Sequence, residues 1–500
     1  MSGGGILDGD PAVKEPGIPI FDDITRRVFV KDLGFVSLGL FLGTLGGCED
    51  LAEQIRNRPI RRWLRTGSPE VDADIATYKH AVELMKALDQ TNPTDPRSWL
   101  NQATIHGVPA HFNFCEHGTN HFFDWHRAYL FYFEKICQKL TGNAKFGLPY
   151  WNWNQTPDIN QAFLVLNSVL YLPRNNTSLG SLSSVSTGAL DPIFQDTNFF
   201  TFSSQIEGTP HNNVHSFTGG TMGGYASAQD PIFWNHHCMV DYCWAKWNID
   251  LGNNNSNDTT WFNHVNSHFV DADGNPASEK AGITILYPLL AYQYESSAIG
   301  SNAARSPLRT KGEYQKVEKR LKQGANVRFD IKSRMRIAER AVVTVARPVS
   351  LETKVSASDF TSVLNVDAAR DRVFVSIDFA RLPATSDFAV RVYIDLPTAN
   401  AGTPIADPHY AGSFAFFGTE PPNVPSPSTD QHGGQKMFLV NITPTLQRLR
   451  RNQELREGNP LSVQLVAVPF AGKFEKPDTQ LLLEKIDIVV TPVIINPPSE

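Results

Sequence analysis

Nine of the chain's 14 histidines fall in two short windows, His106 to His126 and His211 to His237, within 500 residues. Scattered packing or surface histidines would not cluster in this way, and neutral imidazole is the commonest protein ligand for a transition metal. In the second window His211 and His215 are four residues apart, so on a helix both rings project from one face and reach one ion. A third imidazole, His236 or His237, follows a Gly-Gly turn and opens the run Met239 to Trp247, whose Val240, Trp244 and Trp247 would face a core. Three imidazoles then converge from two helices. The first window offers the same number by another route: His117 and His126 are separated by eight residues, and His106 stands upstream. His111 and His121 are rivals here, because His117 and His121 also share helical spacing. Ligation by imidazole alone suits copper, zinc, iron or nickel, and two adjacent three-histidine sites favour copper.

The elements that must carry these rings are readable from periodicity. Ile75, Tyr78, Val82, Met85 and Leu88 recur at helical spacing, which predicts an amphipathic helix over Val71 to Leu88, ended by Asn92-Pro93 and Asp95-Pro96. Ser98 to Ile105 forms the next helix, with His106 near its end. Trp125 to Leu140 reads as a long helix closed by Gly142. Arg127, set among Trp, Tyr and Phe neighbours, calls for a buried ion pair with Asp241 or Glu134. Asn175 to Gly188 reads as a surface loop, and Phe199, Phe200 and Phe202 as core. Beyond Tyr294 the stretch Ser296 to Pro307 loses periodicity, and Lys311 to Arg340 is basic with little apolar content, so we read a linker plus an exposed helix. From residue 341 the pattern changes to period two. Val373 to Phe379, Val390 to Ile394, Met437 to Val440, Leu461 to Val468 and Ile486 to Val490 are β-rich runs between Pro, Gly and Asn clusters, which predicts an all-β sandwich or barrel.

These windows resemble the two copper-binding motifs of the tyrosinase, polyphenol oxidase and molluscan haemocyanin superfamily. The matching residues are His-x8-His followed by Arg127, Tyr129, Leu130, Phe133 and Glu134; Leu148 to Trp153; His211 to His215; Gly219-Gly220; Asp230 to Trp247; and the Tyr292-Gln293-Tyr294 pair. The resemblance implies an α-helical bundle catalytic domain with a paired-copper site, over residues 49–295, followed by an all-β domain, 341–500, like that of long polyphenol oxidases. It implies that His106, His117 and His126 hold one copper and His211, His215 and His237 the other, with His237 rather than His236 as the ligand of the adjacent pair. It implies a thioether between Cys115 and His117, which would fix the imidazole as hydrogen bonds to its far nitrogen usually do. Glu207 and Asn212 resemble the pair that holds a water over the second copper in hydroxylating members, and Ser216, small and beside His215, leaves room for a ring in the substrate pocket. Two departures bear on the charges beneath the metals: Asn152 where the family usually has an acid, and Tyr242 where it commonly has arginine.

Length and composition bound the rest. A single core rarely extends past about 250 to 300 residues, so 500 residues suggest two or three domains. A formal charge of −6 with interspersed signs argues against nucleic acid as a partner. Residues 1–48 read as a signal segment: Thr25 to Lys31, with twin arginines Arg26 and Arg27, precedes an apolar run, Leu33 to Gly47, too short to span a bilayer, and resembles a Tat export signal. Leu45 to Cys48 resembles a lipoprotein cleavage box, making Cys48 a candidate lipid anchor and the expected location periplasmic or extracellular. Five cysteines, Cys48, Cys115, Cys137, Cys238 and Cys243, are too few and too helical in context for a disulfide framework.

The resemblance therefore implies two copper ions, O2 as co-substrate, a small phenolic substrate, and a copper chaperone as a candidate partner. The expected activity is oxidation of monophenols and catechols to o-quinones. Three alternatives stand beside it: a catechol oxidase without hydroxylase activity, a haemocyanin-like oxygen binder, and a zinc hydrolase. The last would want a carboxylate base and the His-Glu-x-x-His motif, which is missing. The oxygen binder is built as large repeats, and no internal repeat is found.

Overall fold

The computed structural model describes residues 57–256, 258–295, 331–352, 363, 366, 371–419, 434–455 and 461–492. The twin-arginine segment, Cys48 and residues 296–330 of the expected linker lie outside them.

Helix α1, Pro69–Thr91, opens with proline in its first turn and with Glu70 and Asp72 beside its exposed N–H groups, both favourable there. It buries Val71, Tyr78, Val82 and Met85, the face that periodicity predicts. Helix α2, Trp99–His106, is capped by Ser98, whose hydroxyl accepts from Asn101 N. Helix α3, Phe122–Thr141, is buried on nearly every side and stops at Gly142, whose φ of 69° no β-carbon favours. It packs on helix α6, Pro231–Ala245, where the Phe133 ring stacks on Trp234 with centroids 3.5 Å apart.

Between them runs a broken segment. Helix α4, Phe199–Ile206, passes into a π-helical turn, Glu207–His211, and then into helix α5, Asn212–Thr218. Pro210 inside the turn has no N–H to give, which suits a wider turn, and such turns recur at functional sites. His211 and His215 thus leave the turn and the helix after it, not one regular helix. Gly219 then reverses the chain at φ 64°, where a β-carbon would sit 2.4 Å from the Asn175 amide nitrogen. The two ends of this helical domain meet: Ile60–Arg61 pairs in parallel with Gln293–Tyr294.

The second domain is two four-stranded antiparallel sheets. We number its strands β1, Ser333–Thr344; β2, Val349–Glu352; β3, Asp371–Phe379; β4, Phe388–Ile394; β5, Tyr410–Ala415; β6, Met437–Asn441; β7, Ser462–Pro469; and β8, Gln480–Pro492. The sheet orders are β5-β4-β7-β2 and β6-β3-β8-β1. Val390, Val392 and Phe414 of one sheet share a buried core with Val375, Ile377, Ile486 and Ile488 of the other, which makes a sandwich. One boundary is corrected. Strand β1 starts at Ser333, inside the stretch read as linker and exposed helix, and it pairs with β8 along its length.

Candidate metal centre

The structure brings His106, His117 and His126 into one group and His211, His215, His236 and His237 into another, every ring buried. The groups share a wall: His126 stacks on His237 at 4.4 Å, and His117 on His211 at 5.5 Å. His106 comes from the end of α2, His117 from the loop before α3, His126 from α3 itself, and the second group from α5, its preceding turn, and α6. The rivals fall outside. His111 turns its Nδ1 to the Phe112 carbonyl, and His121 turns to Asp124.

Most inward rings are fixed from behind. The Nδ1 atoms of His106, His126 and His215 lie against the carbonyls of Tyr225, Phe122 and Met222, at 3.3, 2.7 and 2.8 Å, and that of His211 against Asn212 Oδ1 at 2.8 Å. Each such contact places the proton on Nδ1 and leaves the Nε2 lone pair facing inward. The Nε2 atoms of His106, His117, His126 and His211 are buried without a hydrogen-bond partner, a state costing about 1–3 kcal/mol apiece unless something fills it. His215 Nε2 and His237 Nε2 lie 3.2 Å apart, near the roughly 3.3 Å edge expected of two nitrogens bound tetrahedrally about 2.0–2.1 Å from one ion. Burial lowers every one of these imidazoles, His106 and His211 to about 3, so they stay neutral and able to ligate. The donor set therefore fits a pair of nitrogen-preferring ions.

His236 differs. Its Nδ1 lies 3.2 Å from Trp153 Nε1, and an indole N–H only donates. The His236 proton then sits on Nε2, which, like the Nε2 atoms of His106, His117, His126 and His211, is buried without a hydrogen-bond partner.

Around the rings, Cys115 Sγ lies 3.1 Å from His117 Nδ1 in a buried position. Glu207 is buried, and its Oε1 accepts from Gly118 N at 2.7 Å; burial pushes its carboxyl well above the usual range despite that bond. Asn212 and Ser216 both turn to the sandwich. Asn212 Nδ2 donates to the Ala415 carbonyl at 2.9 Å and to Gln435 Oε1 at 3.1 Å, and Ser216 Oγ to the Phe416 carbonyl at 2.8 Å. Thr209 Oγ1 donates to the Ser413 carbonyl at 2.8 Å, and Tyr225 to that of Thr419. These bonds seat the strand so that the Phe417 ring stacks 4.0 Å over His215, with 5.2 Å to His117 and 5.5 Å to His211. An aromatic from Tyr410 to Phe417 thus stands against both groups.

Beneath the centre, Arg127 pairs with Asp241, one of its two expected partners. Sequence reading missed Arg61. Its guanidinium reaches Glu134 at 2.9 Å and Asp241 at 3.0 Å and lies 3.5 Å over the Tyr292 ring. Burial alone would raise Asp241, but Arg127 and Arg61 hold it below the usual carboxylate range. Tyr292 and Tyr294 both donate to Asp241 Oδ2 at 2.6 Å. Arg61 is one of five arginines between residues 56 and 65, well before the first histidine window, and nothing local singles it out.

The family model described as the common central domain of tyrosinase matches residues 96–190 and 168–250, spanning both histidine groups. Over these residues the chain is similar to tyrosinases and polyphenol oxidases. A further model, described only as a domain of unknown function, matches residues 328–487. Tyrosinase HcTyr1 of Hahella sp. (strain CCB-MM4) is 26% identical over 461 residues, 79% of this chain and 93% of that protein. Aureusidin synthase of Antirrhinum majus is 31% identical over 41% of this chain and 46% of its own. Polyphenol oxidase C of Solanum lycopersicum is 26% identical, and the match spans 47% of each; for these plant relatives the chain covers about half their length. Among solved structures, latent aurone synthase (polyphenol oxidase) superposes with a TM-score of 0.60 over 87% of this chain and 90% of that one, at 19% identity, which speaks to the fold alone.

Proposed function

We propose that the chain is a tyrosinase in the full sense, hydroxylating monophenols to catechols as well as oxidising catechols to o-quinones with O2, and kept latent by its own β-sandwich. Histidines 106, 117 and 126 hold one copper; His211, His215 and His237 hold the other, with His236 outside the ligand set because its Nε2 carries the proton. When bound, the copper pair supplies the activation of O2. The chain's own residues supply the rest.

The observation that carries the hydroxylase reading is Glu207 with Asn212 beside His211. A monophenol must lose its proton before it binds, and Glu207, whose burial raises its affinity for a proton, would as a carboxylate hold a water and take that proton through it. Asn212 keeps the His211 ring oriented through its Oδ1 and has an amide N–H pair to offer that water. In the covered state this pair goes instead to Ala415 and Gln435. Seating of the sandwich thus occupies the water-holding group while Phe417 occupies the space over the rings. Ser216, the expected pocket residue, is freed by the same movement.

The test compares substrates. Glu207→Gln and Asn212→Ala, measured after release of the sandwich, are expected to lower turnover of a monophenol by about 10²-fold or more while a matching catechol falls far less. Equal losses on both, with copper retained, would favour the catechol oxidase reading.

A further inference from the structure

The sandwich reaches the centre with two side chains of different chemistry. Phe417 follows strand β5 and Gln435 precedes strand β6, and the two segments run against each other: a β-carbon on Gly434 would sit 2.6 Å from the Phe417 carbonyl oxygen. Phe417 brings a ring, which meets His215, His117 and His211. Gln435 brings an amide and is 2% exposed. Its Oε1 accepts from Asn212 Nδ2 at 3.1 Å, and its Nε2 donates to the Ser204 carbonyl at 3.4 Å and to Ser204 Oγ at 3.3 Å. The orientation follows from the neighbours. Asn212 gives its Oδ1 to His211, so its amide nitrogen faces Gln435, where only an oxygen can accept.

The helical domain leaves room for this residue. Gly118, next to His117, has φ 69°, and a β-carbon there would sit 2.9 Å from Gln435 Cα. A β-carbon on Gly208, next to Glu207, would sit 3.4 Å from Gln435 Oε1 and 3.0 Å from Phe438 Cδ1. Gly118 is also the residue whose N–H holds Glu207 Oε1. Gln435 therefore packs on the surroundings of Glu207 as well as on the Asn212 amide. That amide has two hydrogens, one given to the Ala415 carbonyl and one to Gln435 Oε1. The first acceptor is backbone, but the second is a side chain that a substitution removes. Alanine at position 435 would leave a carboxamide-sized space between an unpaired N–H and the two Ser204 oxygens, and a polar space with that many partners holds a water.

We propose that Gln435 sets the substrate preference of the covered protein: Phe417 bars every ring from the imidazoles, whereas Gln435 denies monophenols alone the water that takes the phenolic proton. The proposal rests on the hydroxylase reading of Glu207 and Asn212, and the test separates the two. Uncut, copper-loaded protein is assayed on a monophenol and the matching catechol as Phe417→Ala, Gln435→Ala and the double variant. Phe417→Ala should raise catechol turnover several-fold and monophenol turnover by less than about twofold. The double variant should raise monophenol turnover at least tenfold over Phe417→Ala, with catechol turnover within about twofold. Gln435→Ala alone should leave both low, because the ring stays seated. Equal gains on the two substrates in Phe417→Ala, a catechol gain in Gln435→Ala that marks a loosened sandwich, or no monophenol gain in the double variant overturns the proposal. Parent protein released from its sandwich is the reference for the reading beneath it. If that protein oxidises catechols and hydroxylates no monophenol, the hydroxylase reading fails, and the role of Gln435 with it.

Discussion

At the scale of single residues, four of the six inward histidines, His106, His126, His211 and His215, are oriented by an oxygen behind the ring. The carbonyls of Tyr225, Phe122 and Met222 and the Asn212 amide each take an Nδ1 proton, and the lone pair is left on the other side of the ring. Trp153 does the reverse to His236. His237→Ala is therefore expected to lose one copper per chain, and His236→Ala to keep both, by metal analysis of purified protein. Retention of two coppers in His237→Ala alone would reverse the assignment. Cys115, 3.1 Å from His117, is placed to join that ring once metal is loaded; peptide mass spectrometry should find the pair lighter by two hydrogens, and a Cys115 that still alkylates freely would contradict it. The two histidine groups were legible from spacing and motif. Their partners were not, because Tyr225 and Met222 act through backbone carbonyls, which carry no mark of residue type.

At the scale of elements, the centre is held by a buried charge network joining α3, α6 and the paired segments Ile60–Arg61 and Gln293–Tyr294. Removing one partner of such a network leaves the others charged and unpaired, which costs about 3–5 kcal/mol. Arg61→Met should lower stability by that order in denaturant unfolding of the helical domain, and a loss under 1 kcal/mol would mean water reaches the carboxylates. Periodicity located α1 within a few residues because it buries a regular stripe, whereas α3, buried on nearly every side, was marked by the glycine at its end. It failed at Glu207–His211, where a π-helical turn breaks the period, and at β1. That strand is the edge of its sheet and keeps Arg334, Arg336 and Glu339 toward solvent, as edge strands do to discourage pairing with other chains. Charge of that kind reads as linker.

At the scale of the whole molecule, the sandwich closes the centre through hydrogen bonds from Thr209, Asn212, Ser216 and Tyr225 and through one ring. Phe417→Ala should raise catechol turnover of the uncut protein several-fold. Cleavage within residues 296–330 followed by release of the sandwich should raise it further, and no gain after verified release would remove the case for latency. The sequence showed a β domain with aromatics between Tyr410 and Phe417. Which ring, and where it lands, depended on how two domains dock, and no periodicity within either one records that.

The parallel pairing of Ile60–Arg61 with Gln293–Tyr294 sets the first and last described segments of the helical domain side by side. That domain is in effect a ring with a seam. A chain rejoined across the seam and opened at an exposed loop, such as the one around Leu166, would keep the order of contacts around both histidine groups. Circular permutation is thus open to this fold, and the sandwich need not remain attached where it now stands.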